Sequence, residues 1–153
     1  MVLTGGPKCG CGNRGCLEAL ASGPAIAAEG IRLARMGQAP ALYELVGGDM
    51  NQVTTREMAI TADKDASVHD AIVRAATYLG IAAADLVTAI HPELVILGGG
   101  VAEIGDLLTQ TVKQTIDDRV GMFPADGVQV VGSKMGSKAG VMGALALAEM
   151  HAK

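Results

Sequence analysis

Cys9-Gly10-Cys11-Gly12-Asn13-Arg14-Gly15-Cys16 places all three cysteines of the chain within eight residues. An odd number of thiols packed this tightly makes a poor disulfide framework. Cys9 and Cys11 stand only two apart, too close for an unstrained bridge. Three thiolates that converge on one point suit a soft metal, and zinc is the usual one. Gly10, Gly12 and Gly15 fit that chemistry, because a chain wrapped around an ion at short range needs residues that tolerate positive φ. Arg14 adds positive charge that favours thiolates over thiols. Three free thiols, or a Cys11–Cys16 disulfide, are the alternatives that the residues alone leave open. A structural zinc takes four ligands, and the cluster supplies three. His69, His91 and His151 are the only histidines, and none stands at zinc-finger or zinc-knuckle spacing.

Leu97-Gly98-Gly99-Gly100 offers a second kind of chemistry. A glycine run between an apolar strand and a helix lets a ligand lie against the backbone, and the helix start presents unpaired N–H groups to an anion. The run is neither a Walker loop nor the dinucleotide Gly-x-Gly-x-x-Gly. A tight strand-to-helix turn without a ligand explains it equally well. Glu18 follows the last cysteine by two, where an acid in the first helical turn is favourable in itself. No motif places the acids Asp85, Asp106, Asp117 and Asp118, and solvation accounts for them. Lys134 and Lys138 flank a glycine turn, as exposed lysines commonly do. The methionines are spread along helices as core filler, without a copper-binding cluster.

The elements that must hold these groups can be read in outline. Residues 1–15 read as an irregular loop, with a helical pattern from Cys16. Ser22 is an N-cap with Pro24 in the following first turn, and Gly37 closes that helix. A short helix over Ala41–Val46 ends at Gly47-Gly48, and a cap at Thr54 or Thr55, with Glu57 behind it, opens another to about Ala62. Ser67 begins the longest periodic stretch, in which Ile72, Ala75, Ala76, Leu79, Ala83, Leu86, Val87 and Ile90 form one face. His91-Pro92 ends it, since the residue before proline is pushed out of the α region. Leu94–Leu97 is a continuous apolar run, consistent with a strand buried on both faces. A helix over Ile104–Val120 with Leu107, Leu108, Val112 and Ile116 inward, a strand at Val128–Val131 and a helix over Ala139–Met150 complete the chain. Helices followed by strand, helix, strand and helix predict an α/β layer.

Composition narrows the function classes. The chain has 153 residues, enough for one domain, and neither an internal repeat nor a Pro/Ser/Gly linker divides it. Half the residues are hydrophobic but only 2% are aromatic, so small side chains must fill the core. A formal net charge of −4 argues against a nucleic-acid surface, which needs a basic stripe. Asp85 and Glu93 interrupt the most apolar stretches before any reaches the length of a membrane span. Met1 to Cys9 shows no basic segment followed by an apolar one, so no signal peptide is expected, and a cytoplasmic, reducing setting is.

The cysteine run continues as Cys16-Leu-Glu18-Ala-Leu-Ala-Ser22-Gly23, and the whole resembles the zinc signature Cys-x-Cys-Gly-x-x-Gly-Cys-x-Glu of the ROK family of sugar kinases and sugar-responsive repressors. His91-Pro-Glu-Leu-Val-Ile-Leu-Gly98-Gly99-Gly100-Val101 resembles the family's nucleotide-side strand and glycine turn. Gly136-Ser-Lys-Ala-Gly140-Val-Met-Gly143-Ala-Leu-Ala resembles its closing turn and last helix. The resemblance covers essentially all 153 residues, but as the C-terminal half of a family member. It implies the C-terminal lobe of an actin-like ATPase (ribonuclease H-like) fold, with a zinc loop at 1–16, a helical part at 17–90 and a nucleotide-side part at 91–153. It implies Cys9, Cys11 and Cys16 as ligands of a structural zinc, Glu18 as a contact to sugar hydroxyls, and Gly98, Gly99 and Gly100 as the nucleotide wall. The implied reaction is ATP- and Mg-dependent phosphorylation of a hexose, as in glucokinases and fructokinases. The alternative is the sugar-sensing lobe of a repressor.

The family's Asp-x-Gly-x-Thr phosphate loop and catalytic aspartate do not occur in these residues. Its Glu-x-Gly-His, whose histidine is a zinc ligand, would end just ahead of Met1. The expectation is therefore a lobe without its N-terminal partner, inactive alone and prone to form homo-oligomers through apolar surface. It would contact neither a membrane nor nucleic acid.

Overall fold

A computed structural model describes residues 1–122, 124–135 and 138–151. Behind a loop at the N-terminus come α1 (Leu17–Ala21), α2 (Gly23–Arg35), α3 (Pro40–Leu45), α4 (Thr55–Thr61) and the long α5 (Ala66–Ile90). Then follow β1 (Leu94–Leu97), α6 (Asp106–Arg119), β2 (Gln129–Gly132) and α7 (Ala139–His151). Met50–Gln52 and Gly100–Ile104 are single 3₁₀ segments. The fold is α/β.

Local signals set most helix starts. The Ser22 hydroxyl accepts the Ala25 N–H at 3.3 Å, with Pro24 in the first turn of α2. Thr54 rather than Thr55 caps α4, and it does so in a reciprocal capping box with Glu57, whose carboxylate accepts the Thr54 N–H at 3.0 Å. The start of α5 is different. Asp65 occupies its N-cap position but makes no cap bond to that helix. Its buried carboxylate instead accepts the N–H groups of Ala41 at 3.2 Å and Leu42 at 2.8 Å, closing the start of α3. The Ser67 hydroxyl, expected to open α5, donates to the Gln38 carbonyl. Asp65 is drawn away because the α3 amides it accepts from are covered by packing and short of water, whereas Ser67 takes the exposed Gln38 carbonyl ahead of α3.

The core forms around α5, whose Val68, Ile72, Ala76 and Val87 are buried. Its apolar face meets Leu108, Val112 and Ile116 of α6, but Leu107 is only partly buried. Leu86 and Ile90, expected on the same face of α5, are 60% and 69% exposed because its last turn runs beyond the core. Small residues permit the close approach of these two helices. A Cβ on Gly80 of α5 would stand 2.4 Å from the Thr115 Cβ of α6. A Cβ on Gly30 of α2 would stand 2.6 Å from the Met58 sulfur of α4. By length and composition, Ala66–Ile90 is long and apolar enough to cross a membrane, which scanning for uninterrupted apolar runs does not reveal. Its inward face is the hub of this core. His91 ends it in the left-handed conformation, φ 51°, with its N–H on the Val87 carbonyl at 3.0 Å.

β1 and β2 pair in parallel, with Leu94 opposite Gln129 and Leu97 opposite Gly132. The expectation of a strand buried on both faces does not hold. Val95 and Leu97 pack toward the core, but Leu94 is 45% and Ile96 61% exposed. Val141, Leu145, Leu147 and Met150 of α7 are exposed as well. An apolar run reports that a strand can be covered twice; among the described residues only one layer covers this sheet. The long helix expected from Ile104 is also divided. Gly105, at φ 80°, separates the 3₁₀ segment from α6.

Candidate functional site

The N-terminal loop is a small knot of backbone hydrogen bonds. Val2 and Leu3 both donate to the Gly15 carbonyl, at 2.8 and 3.2 Å, and Gly15 donates to the Pro7 carbonyl at 2.9 Å. Inside that frame Cys9 donates to Asn13 at 2.8 Å and Gly12 to Cys9 at 3.0 Å, across an antiparallel bridge between Lys8 and Arg14. Gly12 and Gly15 adopt φ of 90° and 66°, as a chain turning this tightly requires. Gly10 has an ordinary φ and open space around it.

This knot brings the three cysteines together. Their sulfurs all lie within 4.8 Å of one another, with Cys11 and Cys16 Sγ 3.6 Å apart. Tetrahedral zinc with bonds of ~2.3 Å needs sulfur–sulfur edges of ~3.8 Å, so the spacing and the all-thiol donor set fit that ion. All three are free thiols, Cys9 buried, Cys11 exposed and Cys16 between. The Cys9 thiol lies 3.7 Å from Glu18 Oε2, to which it donates. Glu18 stands in the first turn of α1 and is exposed. The metal ligands expected at 9, 11 and 16 and the acid expected at 18 are thus one cluster.

The thiols are not equivalent. The Asn13 backbone N–H, followed by the neighbouring Cys16 thiol, holds Cys11 below its ordinary range. Cys16 is pushed up to about 11, chiefly because it shares its proton with the Cys11 sulfur. The Arg14 guanidinium, expected to do the acidifying, points to the Gly6 carbonyl at 3.4 Å. A metal bound by all three sulfurs must displace the Cys16 proton at any pH below about 11. Zinc affinity is therefore expected to rise with pH, by about tenfold per unit for each proton released. Competition against a chelator of known acid–base behaviour between pH 6 and 8 checks this; an affinity flat across that range contradicts it.

Gly98, Gly99 and Gly100 form the turn after β1. None would meet an atom within 4 Å if given a Cβ, so one side of this backbone is open. Gly99 takes φ 75°, ψ −170°, a conformation open essentially to glycine alone. What fixes the turn is Thr55, a buried residue that sequence reading treated only as a possible cap. Its hydroxyl donates to the Gly100 carbonyl at 3.0 Å across 45 positions of sequence. Gly23, which ends the cysteine-bearing motif, faces the same place. A Cβ there would lie 3.9 Å from both Thr55 Cγ2 and Val101 Cγ2. The motif tail and the glycine turn thus meet at Thr55. Only residue 45 places earlier in the chain closes this contact, so no local sequence signal could have found it. Gly136 and Ser137 of the expected closing turn lie outside the described residues.

The family model of the ROK family matches residues 2–151. A glucokinase of Halalkalibacterium halodurans is 35% identical over 147 residues, covering 94% of this chain and 43% of the glucokinase. A xylose repressor of Caldicellulosiruptor bescii is 29% identical over 91% of this chain and 35% of its own. Among solved structures, a ROK family glucokinase from Streptomyces griseus, crystallised with glucose and AMPPNP, superposes with a TM-score of 0.82. It is 29% identical, over 95% of this chain and 48% of the glucokinase. The chain spans less than half the length of each of these relatives.

Proposed function

The chain belongs to the ROK family, and we propose that it forms the sugar- and nucleotide-binding C-terminal lobe of a hexose kinase of the glucokinase type. The observation that carries this reading is the convergence of Cys9, Cys11 and Cys16 beside Glu18 at the start of α1. In this reading the three sulfurs hold a structural zinc, whose chemistry is that of a rigid anchor rather than a reactant. The anchored loop fixes α1 and so orients the Glu18 carboxylate, which accepts hydrogen bonds from sugar hydroxyls. Gly98, Gly99 and Gly100 form the nucleotide wall, their missing side chains letting ATP lie on the backbone that Thr55 steadies.

Phosphoryl transfer from ATP-Mg depends on in-line positioning and charge neutralisation, with a base for the attacking hydroxyl. The base and the phosphate loop are assigned to the part of a ROK kinase that this chain does not span. The exposed apolar residues of β1 and α7 then belong against that other lobe or a second subunit, in a cytoplasmic protein. A coupled assay of the 153-residue chain with ATP-Mg and glucose, fructose, mannose or N-acetylated hexosamines tests this reading. The expected outcome is no turnover above the enzyme-free blank. Phosphorylation that scales with chain concentration would overturn the assignment of the base to another lobe.

The match to a xylose repressor favours one second reading, a sugar-sensing lobe without kinase chemistry. The nucleotide separates the two. AMPPNP bound with Mg and weakened by bulky side chains at Gly98 or Gly100 belongs to the kinase lobe, and sugar binding indifferent to nucleotide belongs to the sensor.

A further inference from the structure

We propose that Cys11 and Cys16 are a peroxide-modification site: a hydroperoxide converts this pair to a disulfide, leaves Cys9 as a thiol and expels the metal that the three sulfurs hold. The proposal rests on the reading of the trio as a zinc site. Three observations select the pair. Cys11 is the exposed member of the cluster, so an oxidant in solution reaches it first. The Cys16 sulfur is already 3.6 Å from it, so the two sulfurs need approach by only about 1.5 Å to reach the ~2.05 Å of a disulfide. Cys9 is withheld, because it is buried and its N–H is tied to the Asn13 carbonyl. Cys9 also stands too near Cys11 in sequence to bridge it without strain. Four residues separate Cys11 from Cys16, and Gly12 and Gly15 among them already take positive φ.

The steps balance with a hydroperoxide as the oxidant. The Cys11 sulfur attacks the terminal peroxide oxygen, the O–O bond breaks, and the alcohol (water, for hydrogen peroxide) leaves with a proton. Cys11 is now a sulfenic acid. The Cys16 thiolate, whose proton the metal had displaced, attacks the Cys11 sulfur, the S–O bond breaks, and the hydroxide leaves as water with a proton taken from solvent. Two zinc-held thiolates have lost two electrons, and the peroxide has gained them together with two protons from solvent. Two of three metal ligands are consumed, so the ion departs. The oxidised knot no longer anchors α1 and Glu18, so the modification would switch off the sugar wall.

The full chain, loaded with zinc under reducing conditions, is treated with hydrogen peroxide in small molar excess, with a chromogenic chelator reporting released zinc. The expected result is a mass loss of about 2 Da per chain, one zinc released per disulfide, and reversal of both by dithiothreitol and added zinc. Trypsin cuts after Lys8 and Arg14, so the bridge joins the Cys9–Arg14 peptide to the one carrying Cys16. Fragmentation should place it on Cys11, with Cys9 alkylated by iodoacetamide. Cys9→Ser should still lose 2 Da, whereas Cys11→Ser and Cys16→Ser should not. A bridge on Cys9, an intermolecular bridge, or overoxidation of Cys11 without a bridge would overturn the proposal. The same treatment of the metal-free chain separates the two readings. A Cys11–Cys16 bridge that forms there, in a chain that never takes up zinc, refutes the metal site and leaves the thiol pair standing.

Discussion

Gly15→Ala is expected to abolish metal retention by this chain. Gly15 holds φ at 66°, where a side chain is strained, and the Cβ of alanine would fall 1.7 Å from the Leu3 carbonyl oxygen. That oxygen is backbone, so no rotamer change relieves the overlap. The residue can be accommodated only by pulling Leu3 away from the hydrogen bonds that Val2 and Leu3 give to the Gly15 carbonyl. Those bonds are what set Cys16 beside Cys9 and Cys11. With the cysteine positions scattered, zinc in the variant should drop below about a tenth of an ion per chain, because metal binding and folding of the knot are coupled and the substitution blocks the folded knot. Gly10→Ala is the matched control, since nothing lies within 4 Å of its Cβ, and it should keep the metal. Metal analysis of the two purified variants side by side reads the outcome. Equal zinc in both would mean that the backbone knot does not build the site.

The second large effect lies in the core. Gly80→Ala should destabilise the fold although alanine is the better helix former, because its Cβ would meet the Thr115 Cβ at 2.4 Å and Cγ2 at 2.8 Å. A Cβ cannot be moved by side-chain rotation, and the Thr115 hydroxyl is bonded to the Thr111 carbonyl at 2.7 Å. α5 and α6 must therefore separate along their whole contact, at a cost of about 1–3 kcal/mol for overpacking, against roughly 1 kcal/mol of helix propensity returned. The net loss of up to about 2 kcal/mol, at about 2–4 °C per kcal/mol for a domain of this size, lowers the melting temperature by up to about 8 °C. Thr115→Gly removes the opposing Cβ, so the double variant Gly80→Ala/Thr115→Gly should be more stable than the sum of its parts. Thermal melts of the four proteins of that cycle test it. Strict additivity would show that the two helices do not meet there.

How much of this was legible beforehand follows the distance over which each contact acts. The Ser22 cap, a cap at Thr54 or Thr55 with Glu57 behind it, and the apolar face of α5 short of Leu86 and Ile90 are local, and they could be read from spacing. The cysteine cluster was legible for the same reason, since all its sulfurs come from one eight-residue run. Ser67 misled because its hydroxyl bonds the Gln38 carbonyl 29 positions back along the chain, and the role of Asp65 was hidden because it bonds amides of α3, 24 and 23 positions back. Thr55 escaped notice as a support of the glycine turn because its partner is 45 positions away. The exposure of Leu94 and Ile96 was hidden for another reason. An apolar strand records the surfaces it is made to meet, and in this chain one of those surfaces stays open to solvent.

The claim on which the functional reading depends is that residues 9–16 are organised by a metal that braces Glu18. It is tested most directly by the zinc content and X-ray absorption spectrum of the reduced chain purified without chelator. The expected result is about one zinc per chain with three sulfur neighbours at ~2.3 Å and one lighter ligand. Less than about a tenth of a zinc per chain, or a spectrum with fewer than three sulfurs, would contradict it, since structural zinc binds with on the order of 10–16 kcal/mol and is not lost in purification.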